Sequence, residues 1–579
     1  MTPCRITLIE LGSQSEPQRS RINALGIESM LNQEGLPYVA TNPGAIRDTK
    51  DSDLLLIAGA PDPTETESRY LSEIMRKSRF VWIGDAPTSG SLSRLIGTSG
   101  AKPEGVSDTL YAINIQKYPF SHTPLLPHEQ RLKIKHCPVL AAPRRTAKDC
   151  EEIASIDLWD GKRLGPAILV SKRARRRVVI PFALGWAFVF NTSVHHHERF
   201  DLDMMDYPLQ ANADMYRNIL RDAIVWTASP HFIIRPYYWP ASDGKIPSGA
   251  FNLNHDACGF TTAGLRFIRK VCAREKVVTT FFDFPGERFS AHSKKAEFRT
   301  SKSTAKGHDV ALHVEDATDF RTILKAKESL DATQGRITRG WRRHGPSFAD
   351  SYPRVWHYVK RAGIKWTACW APQSSPWLLL SEGTSTGNRL PYNIVDVEKA
   401  EEIGLLELPT FDSQDAERLS SFNYGQRLSW KEWERNVRTR FDHASRHNLL
   451  TGFLIHVWTA GVKHECGFQH GARDAQKMME WTIQHAKKRG FCVLGHEQLY
   501  DWWTWRSDVR IDVGEQGANI MLPSFDYDGT FEILSHGAKI RSVSVNGKRI
   551  STTSSRVRAS KMFTFKPTKL EDSFVIAVS

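Results

Sequence analysis

The sequence predicts an α/β protein of several domains, on three observations. Residues 1 to 235 alternate strand-like and helix-like stretches. A second strand–helix–strand unit opens at 249, after a linker rich in Pro, Gly and aromatics. From 507 to the end the rhythm shifts to short alternating strands. A chain of 579 residues exceeds what one hydrophobic core fills, so the expected domains are 1–235, 249–506 and 507–579.

In the first domain, RITLIEL reads as a strand, and Arg21 to Glu34 has helical apolar spacing that stops at Gly35. DLLLIAGAP and FVWIGD are buried-strand runs ending in turn residues. Strands alternating with helices in this way imply a parallel sheet covered by helices. These residues resemble the flavodoxin-like domains related to class I glutamine amidotransferases. That family places a nucleophilic Cys in a tight elbow after the strand read here as FVWIG, but Asp85 and Ala86 stand there instead. No phosphate-cradling loop is present, so a non-catalytic domain is expected. His195, His196, His197 and Glu198 are metal-ligating types, but consecutive side chains rarely converge on one ion, and a polar loop is the simpler reading.

The middle domain opens on AFNLNHDACGF. Phe251 and Leu253 alternate with polar neighbours, as in a strand ending at His255-Asp256. In the following stretch Leu265, Ile268, Val271 and Cys272 share one helical face, and VVTTFFDF is a second strand. A βαβ unit places a ligand at the carboxyl ends of its strands, where Asp256 lies.

The order of motifs here resembles the NodB-type polysaccharide deacetylases, carbohydrate esterase family 4. The landmarks are NHDAC, then TTFF at 279–282, GHDVALHVED at 307–316, WRRHGPSF at 341–348 and AGIKWTACW at 362–370. LTGFLIHVW at 450–458 and FCVLGHEQLYDWW at 491–503 complete the series. RLPYNIVDVEKAEEIGLLELPTFD and the HDAC, LHVED and RRHG features resemble a divergent subgroup linked to surface-polysaccharide loci. The resemblance implies a distorted (β/α) barrel over 249–506 and metal-dependent removal of an N-acetyl or other acyl group from a carbohydrate or amino sugar. It implies a divalent ion, Zn²⁺ by preference, held by Asp256, His313 and His344. It further gives catalytic roles to Asp256, to His456 as the acid, and to Arg342 as the group orienting the carboxylate.

The chemistry suits these residue types. A bound divalent ion lowers the pKa of its water to about 7 and stabilises an oxyanion, and a positioned His or carboxylate moves the proton. The sequence departs from the family in two places. Cys258 stands where a second Asp of an Asp-x-Asp pair belongs, and Ala317 where His-x-x-x-His needs its second His, with Glu315 and Asp316 as other options. The alternative function is therefore a non-catalytic carbohydrate-binding or scaffolding protein on a degenerate barrel. His255, His308 and Cys258 have structural readings at least as good as ligand ones, and His464, His470 and His496 have no distinguishing spacing. Trp370, Trp458, Trp502 and Trp503 are either sugar platforms or core.

In the last domain VRIDV, NIMLPS, TFEILS, SVSV, KRI, MFTF and SFVIAV suggest an antiparallel β-sandwich, with Asn546-Gly547 as a hairpin turn.

Composition limits the partners. Hydrophobic residues at 40% and charged residues at 25% exclude a disordered chain. No run of about 18 apolar residues exists, so no membrane span is expected. The N-terminus reads as a strand rather than a secretion signal, and eight scattered cysteines without CxxC suggest reduced thiols in a cytoplasmic protein. The net charge of +14 includes the clusters KRARRR at 172–177 and RGWRR at 339–343, but no zinc finger or RNP motif accompanies them, so nucleic acid is not an expected partner.

Overall fold

The computed structural model describes residues 2–579 except 47–52, 99–101, 104–110, 121–124, 126–128, 135–139, 142–149, 159–160, 172–174, 195–212, 242–243, 258–261, 284–306, 315–318, 344–352, 370–387, 410–412, 420–427, 462–470, 516, 525, 537–538, 555–559 and 566–572.

The first helix, Pro17–Glu34, begins with a proline, which fits a first turn whose N–H groups need no helical partner, and ends at Gly35 with φ 64°. A side chain at Gly35 is disfavoured by that left-handed backbone and by space, because its Cβ would lie 2.6 Å from the Arg506 guanidinium. Arg506 donates to the last carbonyls of this helix, Asn32 O at 3.0 Å and Gln33 O at 2.9 Å.

This helix packs on a nine-stranded sheet. Its first five strands are parallel, in the spatial order Tyr38–Thr41, Arg5–Glu10, Asp53–Gly59, Arg79–Gly84 and Arg177–Ile180. Four antiparallel strands extend it. The strand Asp53–Gly59 is buried throughout because both faces are covered: Leu54 and Leu56 pack toward Pro17–Glu34 and Ala213–Ala228, Leu55 and Ile57 toward Glu65–Lys77 and Gly90–Ile96. After the fourth strand, Gly84 has φ 135°, and a Cβ there would stand 2.5 Å from Gly59 O. The adjacent Asp85 is buried and pairs with Arg19 at 2.6 Å. Burial raises its pKa more than Arg19 lowers it, to about 6. An ion pair thus occupies the position where the amidotransferase resemblance would need a thiol.

A second sheet, curled as a half-barrel, carries the middle of the chain. Its central strands Ala250–Asp256, Thr280–Asp283, Asp309–Val314, Gly340–Arg343 and Trp366–Thr367 are neighbours in sequence order and parallel. Leu450–Leu454 and Cys492–Val493 flank Ala250–Asp256 in parallel. The helix Thr262–Glu275 buries Leu265, Ile268, Val271 and Cys272, the face that the sequence marked.

Beyond the half-barrel lie two small antiparallel sheets. They share one apolar core, which includes Phe531 and Phe563 from one sheet and Ile520, Val543 and Ile576 from the other. The Asn546-Gly547 turn, with φ of 49° and 76°, joins Val543–Val545 to Lys548–Ile550. The strand Phe232–Pro236, next to the linker, pairs with Gly529–Ser535 of the C-terminal part, and its first residue also bridges Pro3 ahead of the first strand.

The first part, the linker region and the C-terminal part meet at Glu34. This fully buried carboxylate receives Arg217 at 2.8 Å, Tyr238 at 2.5 Å, Arg221 and Arg235, and Arg235 also holds Glu532. No helix among the described residues is long and apolar enough to cross a membrane.

Candidate functional site

Alternation along the half-barrel strands sends Asn252, Asn254 and Asp256 to its inner face, with Phe282, His313 and Arg342 from the next strands. His313 and Arg342 are directly opposite in register, so two adjacent parallel strands deliver them side by side. All three polar groups are nearly excluded from water, with Asp256 at 8% exposure, His313 at 1% and Arg342 at 3%. Three residues far apart in sequence therefore meet at the carboxyl ends of the strands.

Arg342 Nη1 donates to Asp256 Oδ1 at 2.8 Å and to Asn254 Oδ1 at 2.8 Å, and its Nε donates to Ala368 O at 2.8 Å. The guanidinium also lies over the Phe282 ring, 3.7 Å from its centroid. Burial alone would raise the Asp256 carboxyl, but Arg342, His313 and His456 outweigh it and hold the group well below the usual carboxylate range.

His313 Nδ1 lies 3.2 Å from the main-chain oxygen of Arg342. A carbonyl only accepts, so Nδ1 carries a proton, and when the ring is neutral Nε2 presents a lone pair. That lone pair faces Asp256 Oδ2 across 3.8 Å. Two acceptors turned toward each other across such a gap suit a cation: Zn²⁺ takes imidazole nitrogen and carboxylate oxygen each at about 2.0–2.2 Å. The donor set therefore fits a divalent ion.

His456 follows the strand Leu450–Leu454. Its main-chain N–H reaches Asp415 Oδ2 at 2.9 Å, and its Nδ1 lies 3.1 Å and 3.2 Å from the two Asp415 oxygens. Thr459 adds a hydroxyl at 2.7 Å. Asp415 is fully buried. Burial would raise its carboxyl, but His456 and these hydrogen bonds bring it below its ordinary value. His456 is a fifth exposed and acts electrostatically on Asp256.

The other expected positions divide. His344, Cys258, Glu315, Asp316, His195 to Glu198, Trp370, His464 and His470 lie outside the described residues. His255 points to the opposite face of the sheet from Asp256, stacked on Phe281 at 5.0 Å with Nδ1 bonded to Ile455 O, and burial lowers its pKa to about 3. His308 meets the Phe281 ring edge-on, with centroids 5.9 Å apart. Trp502 and Trp503 are core residues, whereas Trp458 is half-buried with its ring 5.8 Å from His456. Asp415 carried no signal in the sequence: it lies in a short turn-rich segment with no helical or strand spacing to His456. The free cysteines Cys4 and Cys272 are buried and pushed up to about 12, which makes them inert.

A second cluster of metal-ligating types lies elsewhere. Glu129, His443 and His447 are buried, and their donor atoms all fall within 4.8 Å of one another. The helix Trp430–His447 supplies the two histidines one turn apart, and Glu129 comes from the segment before Arg131–Ile134. Arg221 donates to Asn218 Oδ1 at 2.7 Å, which turns the Asn218 NH₂ toward His447 Nδ1 at 3.2 Å. The His447 proton therefore sits on Nε2 and is donated to Glu129 at 2.7 Å, while Arg446 pairs with the same carboxylate. The three residues form a possible metal-binding triad, two of whose members are joined here by a hydrogen bond.

No protein-family model and no curated protein sequence matches the chain. It is similar to the solved structure of Agd3, a carbohydrate deacetylase, at 10% identity and TM-score 0.39 over 100% of this chain and 99% of that one. It is also similar to a putative polysaccharide deacetylase from Mycobacterium smegmatis, at 14% identity and TM-score 0.32 over 47% of this chain and 95% of that one. A third similar structure is a carbohydrate esterase family 4 pseudoenzyme from Bacillus anthracis, at 13% identity and TM-score 0.24 over 45% and 69%. All three likenesses are distant, so the chemistry below follows from the side chains.

Proposed function

We propose that this chain is a metal-dependent hydrolase that removes an N-acetyl or similar acyl group from a carbohydrate. The observation that carries the reading is the lone pair of His313 facing Asp256 Oδ2 across 3.8 Å, inside a wall that excludes water. Asp256 and His313 hold the ion, with His344 completing the set, and the bound ion would supply Lewis acidity and an acidic water. Hydrolysis puts hydroxide on the acyl carbon and a proton on the departing amine. His456, held by Asp415, carries that proton in this reading. Asp256 serves as a ligand rather than a base, because Arg342 keeps it in a form too weakly basic to abstract a proton. Arg342 is thus a positioning group for that ligand.

One observation favours a second reading, a carbohydrate-binding or scaffolding protein on a degenerate barrel. Asp256 is engaged by Arg342, and Cys258 rather than a second carboxylate stands two residues on. Metal content and acetate release from N-acetylated amino-sugar oligomers decide between the two. About one ion per chain with turnover supports the hydrolase. A metal-free protein whose melting temperature zinc does not raise, and which still retains the oligomer, supports the binding protein.

A further inference from the structure

The inner face of the half-barrel carries a chain of polar side chains that the proposed reaction does not use. Asn254 accepts from Arg342 through Oδ1, so its NH₂ points away from the arginine and donates to Asn252 Oδ1 at 3.1 Å. That contact in turn fixes the amide of Asn252. Its NH₂ donates to Leu494 O at 2.8 Å and faces His496 Nδ1 at 3.3 Å. An NH₂ group only donates, so His496 Nδ1 is an acceptor and the ring is neutral with its proton on Nε2. Each orientation follows from the one before it, starting from a guanidinium that has no acceptor form.

Aromatic rings hold the far end. His496 stacks on Trp366 at 5.1 Å and 11°, and meets the edge of Phe282 at 5.1 Å and 83°. Phe282 is the ring over which the Arg342 guanidinium lies. Asn252, Asn254, His496 and Trp366 all have 0% exposure, so water does not compete for these contacts. Burial, then the Arg342 charge, keeps the His496 ring far below the ordinary histidine pKa.

We propose that His496, acting through Asn252 and Asn254, is the positioning residue that sets the direction of the Arg342 guanidinium and so the orientation of the Asp256 carboxylate. The inference rests on the reading that Asp256 and Arg342 belong to the reactive centre. Removing the Nδ1 acceptor frees the Asn252 amide to turn, which frees Asn254, and Arg342 loses one of its fixed acceptors. The acceptor, not the imidazole itself, is what the chain requires.

Three full-length variants test this. His496→Asn keeps an acceptor near the Nδ1 position, His496→Leu removes it, and Asn252→Asp leaves the amide's shape but abolishes its donor. Two readouts are taken: kcat and KM on an N-acetylated amino-sugar oligomer, and the ¹⁵N–¹H resonance of Arg342 Nε, assigned by its loss in Arg342→Lys. His496→Leu and Asn252→Asp should each lower kcat by about 10²-fold with little change in KM, and should shift the Arg342 resonance. His496→Asn should restore most of the turnover and leave the resonance near its original place. Equal damage from His496→Asn and His496→Leu, or an unmoved Arg342 resonance in His496→Leu or Asn252→Asp, overturns the proposal. If the wild type turns over no substrate, the hydrolase reading fails while the resonance still decides the positioning role. If His496→Leu does not fold, Asn252→Asp decides alone.

Discussion

Asp415 holds His456 at two points, for the main-chain N–H and the ring Nδ1 both meet its carboxylate, and the Thr459 hydroxyl closes on the same carboxylate. Because the carboxylate takes Nδ1, the proposed proton transfer would use Nε2. Asp415→Asn should therefore lower turnover by about 10²-fold or more, since the amide can present an NH₂ to Nδ1 and invert the tautomer. Metal content should not change. Parallel loss of metal and turnover would instead make Asp415 part of the ion's support.

The two histidine clusters make opposite predictions for metal. His313→Ala should reduce the bound ion to a small fraction of the wild-type content, whereas His447→Ala should leave it in place and lower stability instead. Elemental analysis of both, purified side by side, measures this directly. Retention in His313→Ala with loss in His447→Ala would move the metal centre to the Glu129 cluster.

Glu34 is buried among three arginines and a tyrosine. Glu34→Gln removes the anion but leaves the guanidinium groups in place, so the expected cost is about 3–5 kcal/mol in denaturant unfolding. A loss within about 0.5 kcal/mol, the range of an ordinary surface substitution, would show that the arginines find other partners.

Asp309 gives a pH signature. It accepts the Glu497 main-chain N–H at 3.0 Å, and burial raises its pKa to about 7. The folded state thus holds a proton that the unfolded chain releases near pH 4. The stability this proton provides is complete below about pH 4 and is lost as pH rises through about 7, at up to about 1.4 kcal/mol per pH unit. Asp309→Asn keeps the acceptor and removes the ionisation, so it should flatten that part of the stability profile. An unchanged slope would assign the pH dependence to other groups.

The sequence revealed most where periodicity and glycine speak locally. The strand ending at Asp256, the buried face of Thr262–Glu275, the stop at Gly35 and the Asn546-Gly547 turn each follow from a few adjacent residues. Asp256 could be singled out at the end of its alternating strand, and His313 and Arg342 by the order of motifs that resembles the deacetylases. Asp415 could not, because its role depends on the curl of the sheet bringing Ser413–Gln414 beside Leu450–Leu454. Nor could Asn252 and Asn254, which read as the polar half of an alternating strand. Only the structure shows that this half faces inward.

The pairing of Phe232–Pro236 with Gly529–Ser535 sets an order of events during synthesis on the ribosome. The first strand leaves the exit tunnel with its edge open, and its partner is made only after the entire half-barrel. At about 5–20 residues per second the wait is on the order of tens of seconds. During that time Phe232 and Ile234, which end in the shared apolar core, have nothing of their own sheet to cover them. The nascent chain therefore carries an unpaired strand edge until Gly529–Ser535 has been made, the kind of transient exposure that invites aggregation.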